Sequence, residues 1–116
     1  MNLTEQTRRE QLSLILQDIE LALREYDLWL SPTDERFPSE QDLQSVQPFC
    51  MDTMAFEAWL QCVLLVRFNH MLKHEMPLPM QCDIYPMAQE CLKQQALPSL
   101  LLAIKALDKL LTVSKG

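Results

Sequence analysis

The side chains most able to do chemistry in this 116-residue chain are four cysteines (Cys50, Cys62, Cys82, Cys91), two histidines (His70, His74), Asp52 and Arg67. His70 and His74 are four positions apart, which on a helix puts both rings on one face and suits a metal ion if further ligands converge. Glu75 and Cys82 are candidates for a third ligand, but sequence fixes neither, so no metal is assigned. A histidine near a helix C-terminus also interacts well with the helix dipole, which is the bland reading of the pair. A nucleophilic cysteine needs a base and an orienting group around it. No such signature surrounds any of the four, and Cys62 and Cys91 read as helix residues that fill space. No catalytic residue and no cofactor is therefore assigned.

Arg67 is the sharpest anomaly. It falls inside an apolar stripe made by Phe56, Leu60, Val63, Leu64 and Met71. A guanidinium there is costly unless it is paired or emerges at an edge. Asp27, Asp52 or Glu57 can supply the partner, giving a buried ion pair that ties the preceding segment to the bundle. The functional alternative has Arg67 holding an anionic group beside Trp59. With Phe49 and Asp52 it then defines a candidate binding pocket, Phe49, Asp52, Trp59 and Arg67, between the 47–54 loop and the second helix. The plainer reading of the same loop is that Phe49 and Met54 pack it down while Asp52 or Thr53 caps the helix.

The elements that must position these groups read as helices. Gly116 is the single glycine, so turns that need a left-handed residue have no low-cost solution, and a strand-rich fold would need many. The seven prolines act as punctuation. Leu12, Leu16, Ile19, Leu23, Tyr26 and Leu30 alternate steps of four and three and predict a first helix over about 4–30, ended by Ser31-Pro32. Leu14, Leu21 and Leu28 form a second stripe nearly opposite the first, either buried in a central helix or exposed as a partner interface. From Ser31 to Met54 the chain reads as a long connection, broken by Pro32, Pro38 and Pro48. Within it Ser39-Glu40-Gln41-Asp42 can start a short helical turn. A second helix follows over about 55–74, ending before Pro77-Leu78-Pro79. A third runs over about 83–94 with Asp83 as its cap, and a fourth over about 98–113 with Pro98 in its first turn. The fold class is all-α: a small bundle of about four helices with a long connection between the first two, in a single domain spanning 1–116.

Charge and composition exclude several classes. The net charge is −6, with no Lys/Arg cluster, which argues against direct nucleic-acid binding. The polar, charged N-terminus is unlike a secretory leader, no apolar run is long enough to span a bilayer, and no cysteines pair as C-x-x-C. Together these predict a cytoplasmic protein with reduced thiols and no membrane association.

The segments Gln47-Pro48-Phe49-Cys50-Met51-Asp52-Thr53-Met54, Glu57-Ala58-Trp59-Leu60-Gln61, Val63-Leu64 with Arg67, and Pro77-Leu78-Pro79 resemble the YqcC-like family of small bacterial proteins. Leu23-Arg24-Glu25-Tyr26 with Trp29 fits as well, and the likeness covers nearly the whole chain. The resemblance implies a helical bundle. Family members are sometimes labelled tRNA pseudouridine synthases, a label that reflects a neighbouring gene and implies an association with RNA modification. Pseudouridine synthases use a catalytic Asp in a larger, strand-rich fold with a basic RNA surface, so the label does not imply that activity for this short acidic chain. Two functions are expected. One is a non-enzymatic accessory protein that binds a protein partner or a second copy of itself. The other is a small-molecule-binding protein or minor enzyme that uses the loop pocket.

Overall fold

Thr4 opens the first helix by accepting a hydrogen bond from the Thr7 N–H at 3.1 Å. The computed structural model describes residues 4–112. Four helices follow in order. α1 is Glu5–Glu25. α2 is continuous over 56–73, an α-helical turn Phe56–Trp59, a π-helical turn Leu60–Leu64 and an α-helix Leu65–Lys73. α3 is Tyr85–Leu92 and α4 is Pro98–Leu111. No strand occurs among the described residues.

The first stripe does its expected work. Leu12, Ile19 and Leu23 are fully buried, and Leu16 nearly so, in one core with Leu100, Ile104, Leu107 and Leu111 of α4. α1 and α4 run antiparallel, since polar contacts lock them at both ends. At one end, the Arg8 guanidinium donates to the Leu111 carbonyl at 2.9 Å, the Leu110 carbonyl at 3.5 Å and the Pro79 carbonyl at 2.7 Å. At the other, the Tyr26 hydroxyl accepts from the Ser99 N–H at 3.2 Å and bonds the Ser99 hydroxyl at 2.9 Å. Arg8 thus meets the electronegative C-terminal end of α4, where free carbonyls need donors.

α1 stops at Glu25, earlier than the stripe suggests. Asp27 takes a left-handed conformation (φ 60°), and the chain folds back on the helix end. The Leu28 N–H reaches the Leu23 carbonyl at 2.7 Å and the Asp27 N–H the Arg24 carbonyl at 3.1 Å. Glu75 (φ 52°) closes α2 the same way, with Met76 bonded to Met71 and Glu75 to Leu72. These are Schellman closures in which acidic residues stand where glycine is usual. The predicted helix end at Val113 lies outside the described residues.

Two expected caps are replaced. The N-cap of α2 is Ala55, which has no side chain able to bond, so neither Asp52 nor Thr53 caps that helix. Asp83 does not cap α3 either. Its first amides are instead held by Asp108 of α4, which accepts from the Ile84 N–H at 2.8 Å and the Tyr85 N–H at 2.7 Å. A carboxylate brought from a neighbouring helix satisfies the same donors as a local cap.

The connection over 26–55 is folded, not slack. Ser39 and Asp42 exchange two backbone–side-chain bonds, at 3.0 and 3.1 Å, which confirms the expected turn and opens the 3-10 helix Asp42–Gln44. Pro38, just before this turn, is buried. Arg36 forms a forked pair with Asp34, whose carboxyl lies below its ordinary range because that guanidinium bonds it.

Candidate functional site

The π-helical turn in α2 reorganises the region where sequence placed a pocket. Its closing bond runs from the Leu65 N–H to the Leu60 carbonyl, five residues back. A π turn holds one more residue than an α turn, so the inward face moves one position along the chain. Leu60 and Leu64 stay inside, and the face continues through Leu65 and Phe68. Arg67 therefore leaves the stripe. It is exposed, and no carboxylate pairs with it among the described residues. The expected buried ion pair with Asp27, Asp52 or Glu57 is absent because the extra residue turns Arg67 to solvent.

The polar group that does enter the core is Gln61, which is 8% exposed. Its carbonyl accepts the Leu30 N–H at 2.8 Å and its amide nitrogen donates to the Leu30 carbonyl at 2.9 Å. One side chain thus satisfies both backbone groups of a buried residue at the start of the long connection. The stripe reading missed it because Gln61 sits beside Leu60, and only the π turn lets both point inward.

The other pocket residues split up. Phe49 meets Trp59 edge-on at 4.9 Å and Phe56 at 6.1 Å, and Phe56 stacks on Trp59 at 5.9 Å. Phe49 holds a left-handed backbone (φ 57°), as does Cys50 (φ 51°). That conformation is strained for a bulky residue and needs surroundings that impose it, which the aromatic trio supplies. Asp52 is exposed and accepts from the Ser45 hydroxyl at 2.5 Å. Phe49 and Trp59 are brought together, then, while Asp52 serves the loop and Arg67 faces solvent. A cleft of about 250 Å³ does lie beside this loop. It lies between the end of the 47–54 loop and the start of α2, where the pocket was expected, but Thr53, Met54, Glu57, Ala58, Leu28 and Arg36 line it instead of Phe49, Asp52, Trp59 and Arg67. Its single cation, Arg36, is engaged by Asp34. Enclosed ligand sites usually exceed about 300 Å³, and this cleft is smaller, with the Glu57 carboxylate as its free polar group among the described residues.

The second stripe divides. Leu28 packs partly buried against the core. Leu14 and Leu21 stand 60% and 64% exposed. Leu21 edges a groove of about 320 Å³ between α1 and α4, with Leu102 opposite, Ala22 and Ala103 on the floor, and Asp18 and Glu25 at the rim.

His70 and His74 lie with rings 4.3 Å apart on the exposed end of α2. Among the described residues no three side chains are grouped to hold a metal ion. The four cysteines carry no disulfide. Burial, with Asp108 beside it, pushes the Cys82 thiol up to about 12. At pH 8 its thiolate fraction is then about one in ten thousand. Iodoacetamide will modify Cys91 well before Cys82 in the folded protein, as read by peptide mass mapping; faster labelling of Cys82 would contradict this environment. The fold favours the neutral thiol, so this contribution to stability is complete below the unfolded value of 9.0 and fades as pH rises from there toward about 12.

Fold and surface together define a small all-α bundle with a buried clamp, a packed aromatic loop and one exposed apolar groove. A family model described as tRNA pseudouridine synthase C matches residues 11–110. The chain belongs to that family, the YqcC-like one its loop motif resembles. The uncharacterised protein YqcC of Escherichia coli is 36% identical over 104 residues, covering 90% of this chain and 91% of that protein. An uncharacterised protein of Haemophilus influenzae is 32% identical over 105 residues, covering 88% and 93%. The solution NMR structure of E. coli YqcC superposes with a TM-score of 0.77 at 33% identity, covering 95% of this chain and 92% of that one. A third relative, named tRNA pseudouridine synthase C, from Pectobacterium carotovorum, is 41% identical over 73 residues. That match covers 63% of this chain but 18% of the relative. No described helix is long and apolar enough to cross a membrane.

Proposed function

We propose that this chain is a non-catalytic accessory protein that binds a tRNA pseudouridine synthase and raises its activity. The observation that carries the reading is the Pectobacterium relative. A segment like this bundle makes up 18% of a longer protein bearing the synthase name. Joining two domains in one chain holds them at fixed stoichiometry and high effective concentration, which benefits domains that act together. The chemistry of the bundle agrees. A net charge of −6 is ill suited to gripping tRNA phosphates, so RNA binding falls to the partner.

The test is a tritium-release assay on tRNA with the synthase of the same organism, with and without equimolar bundle. The bundle alone will release nothing. Added to the synthase, it will raise kcat/KM by about tenfold, within the usual range of coupling between sites. An unchanged rate together with no complex in analytical ultracentrifugation would sink the proposal.

A further inference from the structure

The groove between α1 and α4 has the shape and charge of a helix-docking site. Its leucine ridges stand well out of the surface: Leu21 is 64% exposed on one side and Leu102 67% on the other, with Leu14, 60% exposed, two turns along from Leu21. Large apolar side chains grouped in this way mark a contact surface. Between them the floor is the buried Ala22 and Ala103, whose methyl groups leave room for another backbone to come close. Two antiparallel helices with a shallow valley between leucine ridges accept a third helix, ridge into groove.

Charge selects the occupant. The only ionisable groups lining the groove are acids, Asp18 and Glu25. They lie seven residues apart, hence on one side of α1. Neither makes an ion pair among the described residues, whereas Glu5, Glu20, Asp34 and Glu90 all do. A second copy of this chain would set these carboxylates against another acidic surface, which like-charge repulsion opposes. We infer that the groove docks an amphipathic helix of the synthase, with aliphatic side chains on its apolar face and Lys or Arg along the edge that meets Asp18 and Glu25. This rests on the proposed partnership and names its surface.

The experiment measures the affinity of the purified bundle for the purified synthase by calorimetry at low and high salt. Leu21→Asp with Leu102→Asp tests the ridges, and Asp18→Lys with Glu25→Lys tests the rim. Val66→Asp, 61% exposed on α2, is the control. All five positions are exposed, so the variants should stay folded, which circular dichroism checks. Methyl NMR of the wild type asks the same question without substitution, because the Leu21 and Leu102 signals must shift when synthase is added. Both groove variants will bind more than about tenfold weaker, as loss of a central apolar anchor or a charge pair does. The rim variant will also lose the salt dependence, and Val66→Asp will bind like wild type. If the groove variants bind normally, or the Leu21 and Leu102 signals stay in place while the complex forms, the groove is wrong and the partnership stands. If wild type itself does not bind, the partnership falls and the groove assignment with it.

Discussion

Gln61→Ala will cost about 3 kcal/mol of folding stability, because it strands two buried backbone groups at once. The Leu30 N–H and carbonyl lie in a residue that is 5% exposed, and both bond the Gln61 side chain. Each buried polar group left without a partner costs roughly 1–3 kcal/mol. The loss is large against a total of about 5–15 kcal/mol for a typical domain. Urea unfolding read by circular dichroism gives the number. Gln61→Leu, which keeps the volume but removes the same bonds, should lose nearly as much. The clamp also holds the start of the long connection, so trypsin will cut after Arg36 faster in Gln61→Ala than in wild type. A loss below about 1 kcal/mol would mean that water reaches Leu30 and the clamp is dispensable.

Arg8→Met will cost about 2–3 kcal/mol, while Glu5→Gln will cost well under 1. Methionine keeps the apolar stem and removes the donors, which isolates the bonds to Pro79, Leu110 and Leu111. The Arg8 side chain is 12% exposed, so those carbonyls would lose their partner in a largely dry place. Glu5 also pairs with Arg8, but at 3.8 Å and with its side chain 56% exposed, where ion pairs contribute little. Arg8→Lys will not restore the loss, because an ammonium is a single point donor and the guanidinium fork serves several carbonyls together. Equal losses from Arg8→Met and Glu5→Gln in thermal melts would transfer the effect to the ion pair and refute the carbonyl assignment.

Much of the helix plan was legible in the sequence. The stripe through Leu12, Leu16, Ile19 and Leu23 is a period that only a core-facing helix satisfies, and Pro77 and Pro98 fall where helices must stop or start. The Ser39–Asp42 turn was readable because both partners lie within four residues. What escaped reading depends on groups distant in sequence or on backbone choices without a side-chain signature. Asp108 caps a helix that begins more than twenty residues earlier, so a local search settles on Asp83 instead. The π turn leaves no mark in residue type, and without it Arg67 lands in the stripe and Gln61 outside. Arg67 was placed in the stripe for this reason and is exposed, whereas Phe49 and Trp59, on either side of Phe56, came together. The Leu14 and Leu21 stripe was visible as an alternative, but its division from Leu28 follows from the helix ending at Glu25.

The seam between the first and last helices sets the order in which this protein can be made. Arg8 and Leu110 are 102 positions apart, and α1 rests on α4 along the core. A ribosome adds about 5–20 residues per second, so the finished α1 waits seconds for the helix that covers it. During that wait Leu12, Leu16, Ile19 and Leu23 have only α2 to shelter them, and the nascent chain is a natural client for a chaperone that holds apolar helices.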